Sequence, residues 1–218
     1  RGENRMSRML YLFPKERAGV TYPYVYWDDL FTEEELEKVF EYCETLKKEE
    51  SYTVGKDGVS DLNNPARKST VAWGNPNPEN QWIFDRLLFV ADQLNRRFYE
   101  FDLNGFESFQ YTIYEGKEGE EPGKYDYHMD TVLGLDKPIE MAETRKLSLS
   151  LILSDPDDYE GGDFYIQTGS PDPEKLIKME QKKGRVLAFP SFMIHGVAPV
   201  TKGTRRSIVV WVDGPKFK

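Results

Sequence analysis

The chain has two histidines, His128 and His195, and Asp130 lies two residues after the first in Tyr127-His-Met-Asp130. In an extended strand residues i and i+2 share a face, which would set an imidazole beside a carboxylate. Two imidazoles and one carboxylate on one face are what a facial iron(II) site requires, with three positions left for a cosubstrate and oxygen. An H-x-D tripeptide alone is weak evidence, since it also arises by chance on a surface.

The residues after His195 strengthen the case for a site. Arg205 comes ten residues later, with Ser207 and Trp211 beyond. A hairpin returning from His195 would bring Arg205 next to the metal-bearing strand. Alternation puts Arg205, Ser207, Val209 and Trp211 on one face, and Arg206, Ile208, Val210 and Val212 on the other. An arginine with a serine two residues on makes a charge-assisted receptor for a terminal carboxylate. A surface salt bridge is the plainer role for an arginine here, and it is the one expected of Arg206.

The elements that must hold these residues divide the chain in two. Thr32 with Glu35 three residues on is a capping box, opening a helix over about 33–48 with Leu36, Val39, Phe40, Cys43 and Leu46 on one stripe. Lys47 and Lys48 suit its C-terminal dipole. A second helix is expected after Asn77, with Pro78 at its first position and an end before Gly105. Its stripe is Ile83, Phe84, Leu87, Leu88, Ala91, Leu94 and Phe98. From residue 106 the punctuation becomes that of short strands, near 106–114, 124–131, 146–153, 162–168, 174–180, 184–190, 195–200 and 205–212. Eight strands after helices predict an α+β arrangement, a double-sheet jelly roll with helices on one sheet. In Lys146-Leu-Ser-Leu-Ser-Leu-Ile-Leu153 four leucines share the face expected under the helices. The other face, Ser148, Ser150 and Ile152, either leaves room for a cosubstrate or faces solvent.

Bulk properties narrow the classes. The 218 residues carry a formal net charge of -9, and 39% are hydrophobic, enough for a sizeable core. An acidic chain is a poor ligand for phosphate backbones and anionic membranes. The one cysteine, Cys43, lies on the apolar stripe and reads as a small buried hydrophobe. No stretch reaches the roughly 18 apolar residues of a membrane span, and residues 1–10 do not read as a signal peptide. A cytoplasmic protein is expected. The expected organisation is a single domain over 1–218, with an N-terminal segment (1–20), mainly helical support (21–105) and the jelly-roll core (106–213).

The ordered motifs resemble the Fe(II)/2-oxoglutarate-dependent dioxygenases, in their prolyl 4-hydroxylase-like (prolyl/lysyl hydroxylase type) branch. Beyond the H-x-D, the distal histidine and the basic residue ten positions on, five segments carry the likeness. Tyr24-Val-Tyr-Trp-Asp-Asp-Leu-Phe-Thr-Glu-Glu-Glu35 is similar to the entry strand and first helix, and Arg67-Lys-Ser69 with Trp73 to the segment before the second helix. Gln110-Tyr-Thr-Ile-Tyr114 resembles the strand leading to the metal motif. Leu153-Ser-Asp-Pro-Asp-Asp-Tyr-Glu-Gly-Gly162-Asp resembles the signature turn, and Gly184-Arg-Val-Leu-Ala-Phe-Pro-Ser191 the strand before the distal histidine.

The resemblance implies a double-stranded β-helix in which His128, Asp130 and His195 ligate Fe(II). It implies that Arg205 pairs with the distal carboxylate of 2-oxoglutarate, that Tyr114 hydrogen-bonds the same group with Ser207 beside it, and that Trp211 lies near the site. The implied reaction consumes O2 and 2-oxoglutarate, releases succinate and CO2, and hydroxylates a substrate, with ascorbate as a candidate reductant. Asp130 favours hydroxylation over halogenation, because related halogenases lack that carboxylate. The implied partner is a peptide or protein with a prolyl residue. A free amino acid or small metabolite stays open, nucleic acid is disfavoured by charge, and a non-catalytic jelly-roll binding module is the alternative of another class. The loops 115–125 and 131–144 are candidate lids; the first, longer and more acidic than the family's, would equally serve as a solvated excursion.

Overall fold

The computed structural model describes residues 22–51, 53–54, 60–61, 65–131, 144–168 and 176–215. Its first elements are β1 (Val25–Trp27), α1 (Glu33–Thr45), β2 (Glu49–Glu50), β3 (Thr53–Val54), β4 (Ser60–Asp61), β5 (Arg67–Lys68), β6 (Thr70–Gly74) and α2 (Gln81–Leu94). A π-helical turn over Asn95–Tyr99 prolongs α2. Then come β7 (Phe109–Gly116), β8 (Lys124–His128), β9 (Thr144–Ile152), β10 (Tyr159–Gly161), β11 (Phe164–Gln167) and β12 (Leu176–Lys178). The chain closes with β13 (Val186–Pro190), β14 (Ile194–Val197) and β15 (Val200–Gly214).

Helix α1 begins where its capping box predicts. The Thr32 hydroxyl accepts the Glu35 N–H at 3.2 Å and the Glu35 carboxylate accepts the Thr32 N–H at 2.9 Å. Leu36, Val39 and Cys43 are its buried stripe, and burial pushes the Cys43 thiol well up, as expected of an inert core residue. The helix stops at Thr45 rather than near 48. Lys48 still serves its end from outside, donating to the Glu44 carbonyl at 2.9 Å. Helix α2 departs further from expectation, for Pro78 is not its first residue. Asn77 accepts the N–H groups of Glu79 and Asn80, and the Asn80 side chain turns back onto the Asn77 N–H at 2.8 Å. This local asparagine turn competes with helix and delays it to Gln81. The stripe also shifts in phase: Val90 is buried while Leu88 is 51% exposed.

All eight expected strands form. Among the described residues after 106 the one additional strand is β10, which arises where the Tyr159–Gly161 turn pairs with β15. Residues assigned to helical support also contribute strands, and β6 joins the main sheet beside β7. That eight-stranded sheet runs β1-β13-β9-β15-β7-β6-β2, with β10 on β15, and faces a five-stranded sheet ordered β12-β11-β14-β8-β5. The fold is the expected jelly roll with its helices on one sheet. Among the described residues no helix is long and apolar enough to cross a membrane.

The alternation of β9 divides two cores. Leu147, Leu149 and Leu151 join Leu36, Val39, Ile83, Leu87 and Leu94 in the helix–sheet core. Ile152 joins Tyr114, Phe164, Ile166, Phe189 and Val197 in the core between the sheets. Leu149 is 1% exposed. Leu149→Ala should therefore cost about 2–5 kcal/mol of stability, read by chemical denaturation, because the helices above cannot collapse fully into the gap. On the same side Arg206 lies 3.8 Å from the Glu44 carboxylate of α1, the salt bridge expected of it.

One expectation about strand placement is corrected. The hairpin after His195 does not return beside its own strand. The chain turns a corner at Ala198–Pro199, so β14 lies in the five-stranded sheet while β15 pairs with β7 and β9 in the other. Arg205 therefore faces the metal-bearing strands across the sandwich, with Tyr114 as its cross-strand partner.

Candidate iron and cosubstrate site

The two histidines are neighbours by register: His128 on β8 and His195 on β14 are directly paired across the five-stranded sheet. Strand β8 ends at His128, and Asp130 reaches the same place from the loop beyond. Its N–H donates to the Ser191 carbonyl at 2.9 Å. One donor atom from each of His128, Asp130 and His195 falls within 4.8 Å of the others. Asp130 Oδ1 is 3.5 Å from His128 Nε2, and Oδ2 is 3.4 Å from His195 Nε2. Bonds of about 2.0–2.2 Å to a first-row metal place adjacent donors about 3 Å apart, so small side-chain adjustments close this set on one ion.

Proton placement suits a metal as well. His128 Nδ1 lies 2.8 Å from the Asp126 carbonyl, and His195 Nδ1 lies 2.9 Å from the Met193 carbonyl. A carbonyl only accepts, so each Nδ1 carries the hydrogen and each Nε2 keeps its lone pair for the centre. Burial lowers the His195 pKa and the nearby His128 lowers it further, against the pull of Asp130, so His195 is neutral as a ligand must be. Burial alone would raise the Asp130 carboxyl. The two histidines and the Ser148 hydroxyl outweigh it and hold Asp130 well below the usual carboxylate range, ionised.

Phe189 and Phe164 flank the His195 ring at 4.6 and 5.6 Å between centroids, and Tyr125 stacks on His128 at 3.5 Å. Ser148 supports the carboxylate, donating to Asp130 Oδ2 at 2.7 Å, with Ser191 Oγ 2.9 Å away. The Ser148 hydroxyl has a positioning role that the strand pattern does not show; on the same strand face Ser150 lines the cavity. Ser148→Ala should weaken iron binding about 10–100-fold, the usual loss for a partner that orients a metal ligand. Iron titration of the purified variant measures it.

Arg205 is 1% exposed. Its Nη1 lies 3.4 Å from Ser207 Oγ and its Nη2 3.1 Å from Gln181 Oε1, both neutral oxygens. Among the described residues no carboxylate forms a salt bridge with it, and its Nε has no partner. A guanidinium taken out of water without a counter-charge is costly, so this arrangement is suited to an anion that arrives from outside. Tyr114 lies alongside, its ring centre 5.8 Å from Arg205 Cζ. Gly162, at φ +66°, makes way for this side chain: a Cβ there would lie 3.1 Å from Arg205 Cδ.

His128, Asp130, His195, Arg205, Tyr114, Ser207 and Trp211 all line one cavity of about 570 Å³ between the sheets. Trp211 lies three strand positions on one face beyond Arg205, with Arg145 Cζ 4.1 Å over its ring and Trp73 at 6.1 Å. Sequence reasoning did not single out Arg145, Gln181 or the chain of contacts around Arg67. Arg67 donates to Gln110 at 2.8 Å and to Ser69 at 2.9 Å, and lies 4.6 Å over the Tyr125 ring. The Arg67-x-Ser69 spacing was the available signal. In the first candidate lid, residues 117–121 are exposed and none lines the cavity, whereas Tyr125 at its end does. Most of the second, 132–143, lies outside the described residues.

Comparison with known proteins agrees with this geometry. Residues 109–213 match the model of the 2OG-Fe(II) oxygenase superfamily. All seven candidate site residues fall inside the matched stretch. Fe(II), 2-oxoglutarate and O2 are the cofactor and cosubstrates this match implies, and the three-donor set fits such an iron. Among similar proteins, a PKHD-type hydroxylase of a Synechococcus strain is 38% identical over 79 residues, covering 36% of this chain and 34% of its own length. One of Pseudomonas fluorescens is 34% identical over 91 residues, covering 42% and 38%. The matched stretch thus spans roughly a third to two fifths of these relatives. In fold, a Pseudomonas putida prolyl-4-hydroxylase superposes with a TM-score of 0.62 at 16% identity, covering 90% of this chain and 95% of that one. A Trichoplax adhaerens prolyl hydroxylase, solved with a peptide fragment of the hypoxia inducible factor oxygen degradation domain, gives 0.63 at 17% identity, covering 88% and 83%.

Proposed function

We propose that the chain is an Fe(II)- and 2-oxoglutarate-dependent dioxygenase that hydroxylates a prolyl residue in a peptide or protein. The observation that carries the cosubstrate is Arg205, a buried guanidinium with only neutral partners in the cavity that holds the three-donor set. In this reading His128, Asp130 and His195 hold the metal through two neutral imidazoles and one carboxylate. Arg205 receives the distal carboxylate of 2-oxoglutarate, with Tyr114 and Ser207 as hydroxyl partners. Bound iron and 2-oxoglutarate supply oxidative decarboxylation to succinate and CO2, coupled to hydroxylation of a C–H bond. The protein positions both partners and excludes water: Phe164, Phe189 and Val197 line the cavity on the iron side. No side chain is asked to move a proton in the oxidation.

A peptide substrate is favoured by space beyond the iron. A second cavity of about 510 Å³, lined also by Phe106 and Glu107, shares Trp73, Arg145 and Trp211 with the first. The two together exceed what one amino acid fills, and they suit a residue with chain on either side of it. The relatives' designation as PKHD-type hydroxylases and the prolyl hydroxylase neighbours support the same class.

The test is succinate release, with ascorbate present, screened over proline-containing peptides, free amino acids, small metabolites and oligonucleotides. Peptides should stimulate turnover above the uncoupled background, and Trp211→Ala should reduce that stimulation. Stimulation by oligonucleotides alone would overturn the prolyl assignment.

A further inference from the structure

The guanidinium of Arg205 is held from behind by a residue outside the cavity lining. Gln181 lies between β12 and β13, and its Oε1 accepts from Arg205 Nη2 at 3.1 Å. Its own amide is oriented in turn, Nε2 donating to the Met179 carbonyl at 3.3 Å. A carbonyl cannot donate to Oε1, so this bond turns the amide nitrogen toward Met179 and the amide oxygen toward Arg205. Gly162 clears the stem of Arg205 on the other side. Head and stem are thus both fixed, without a charge being placed against the guanidinium.

Neutrality at position 181 has a consequence for binding. A carboxylate of the same length would form a charge-assisted pair with Nη2 and oppose any arriving anion. The preceding residue is such a carboxylate, Glu180, but it pairs with Arg185 at 2.9 Å instead. We propose that Gln181 is a positioning residue for cosubstrate binding: it aims Arg205 into the cavity and leaves its charge uncompensated for the distal carboxylate of the 2-oxo acid. The proposal rests on the reading of Arg205 as the cosubstrate anchor.

Gln181→Glu and Gln181→Leu, loaded with Fe(II) under anaerobic conditions, test it by titration with 2-oxoglutarate and with 2-oxobutyrate, which lacks the distal carboxylate. Gln181→Glu should weaken 2-oxoglutarate about 10–100-fold, the worth of a charged hydrogen bond. Gln181→Leu should weaken it only a few-fold, because the guanidinium keeps its charge but loses its aim. Iron loading and 2-oxobutyrate affinity should not change, and in turnover KM for 2-oxoglutarate should rise with kcat at saturation retained. Wild-type affinity for 2-oxoglutarate in both variants would sink the proposal if Arg205→Leu binds poorly. Equal weakening of both 2-oxo acids would also sink it, since that marks a general distortion. Normal binding by Arg205→Leu would instead place the failure in the anchor reading. Should Gln181→Glu not fold, as shown by a thermal melt, the leucine variant decides by the same criteria.

Discussion

His128→Ala should abolish stoichiometric iron binding and, with it, all 2-oxoglutarate turnover, while the protein stays folded. The choice between the two histidines matters. His195 is 5% exposed and lies against Phe189 and Phe164, so truncating it would also open a hole between the sheets. The His128 side chain is 18% exposed, between the Tyr125 and His195 rings, so the space it leaves is open to solvent. The expected loss of iron affinity exceeds the roughly 10–100-fold seen when an outer partner such as Ser148 is removed, because a direct bond goes. Metal analysis after dialysis and a thermal melt separate the two effects. A folded variant that kept iron at wild-type affinity would remove His128 from the ligand set.

Arg205→Leu should separate stability from function in the opposite sense. Removing a desolvated charge whose partners are neutral relieves a cost, so the metal-free variant should be at least as stable as the wild type. Cosubstrate binding should suffer by about 10–100-fold or more, the worth of one or two charge-assisted hydrogen bonds. Iron binding should not change, since Arg205 belongs to the other sheet. Denaturation curves, iron titration and KM for 2-oxoglutarate read the three quantities. A strongly destabilised variant with unaltered KM would make Arg205 a structural residue.

Much of this arrangement was legible in the chain because it is local. The capping box at Thr32 and the serine–leucine alternation of β9 act through neighbours in sequence, and both read correctly. The seven candidate site residues also gather in one cavity: six reach it from strands, where alternation fixes which face each presents, and Asp130 from the loop after β8. What failed depended on partners distant in sequence or on competing turns. Pro78 looked like a helix start, but the Asn77–Asn80 turn took the backbone donors first. Arg205 was placed beside His195 because a hairpin is the shortest return; the corner at Ala198–Pro199 moved it to the opposite sheet. The hydroxyl of Ser148 on Asp130 and the amide of Gln181 on Arg205 join residues 18 and 24 positions apart, and no periodicity signals such contacts.

One cavity should bind iron through His128, Asp130 and His195 and, at the same time, 2-oxoglutarate through Arg205. Anaerobic titration of the purified chain with Fe(II) and then 2-oxoglutarate tests this directly, because chelation of the metal by the 2-oxo acid produces a weak visible charge-transfer band. The band should appear only when both are present and should be missing from His128→Ala. No band, together with no stoichiometric iron in the wild-type chain, would contradict the account and leave a non-catalytic jelly-roll module in its place.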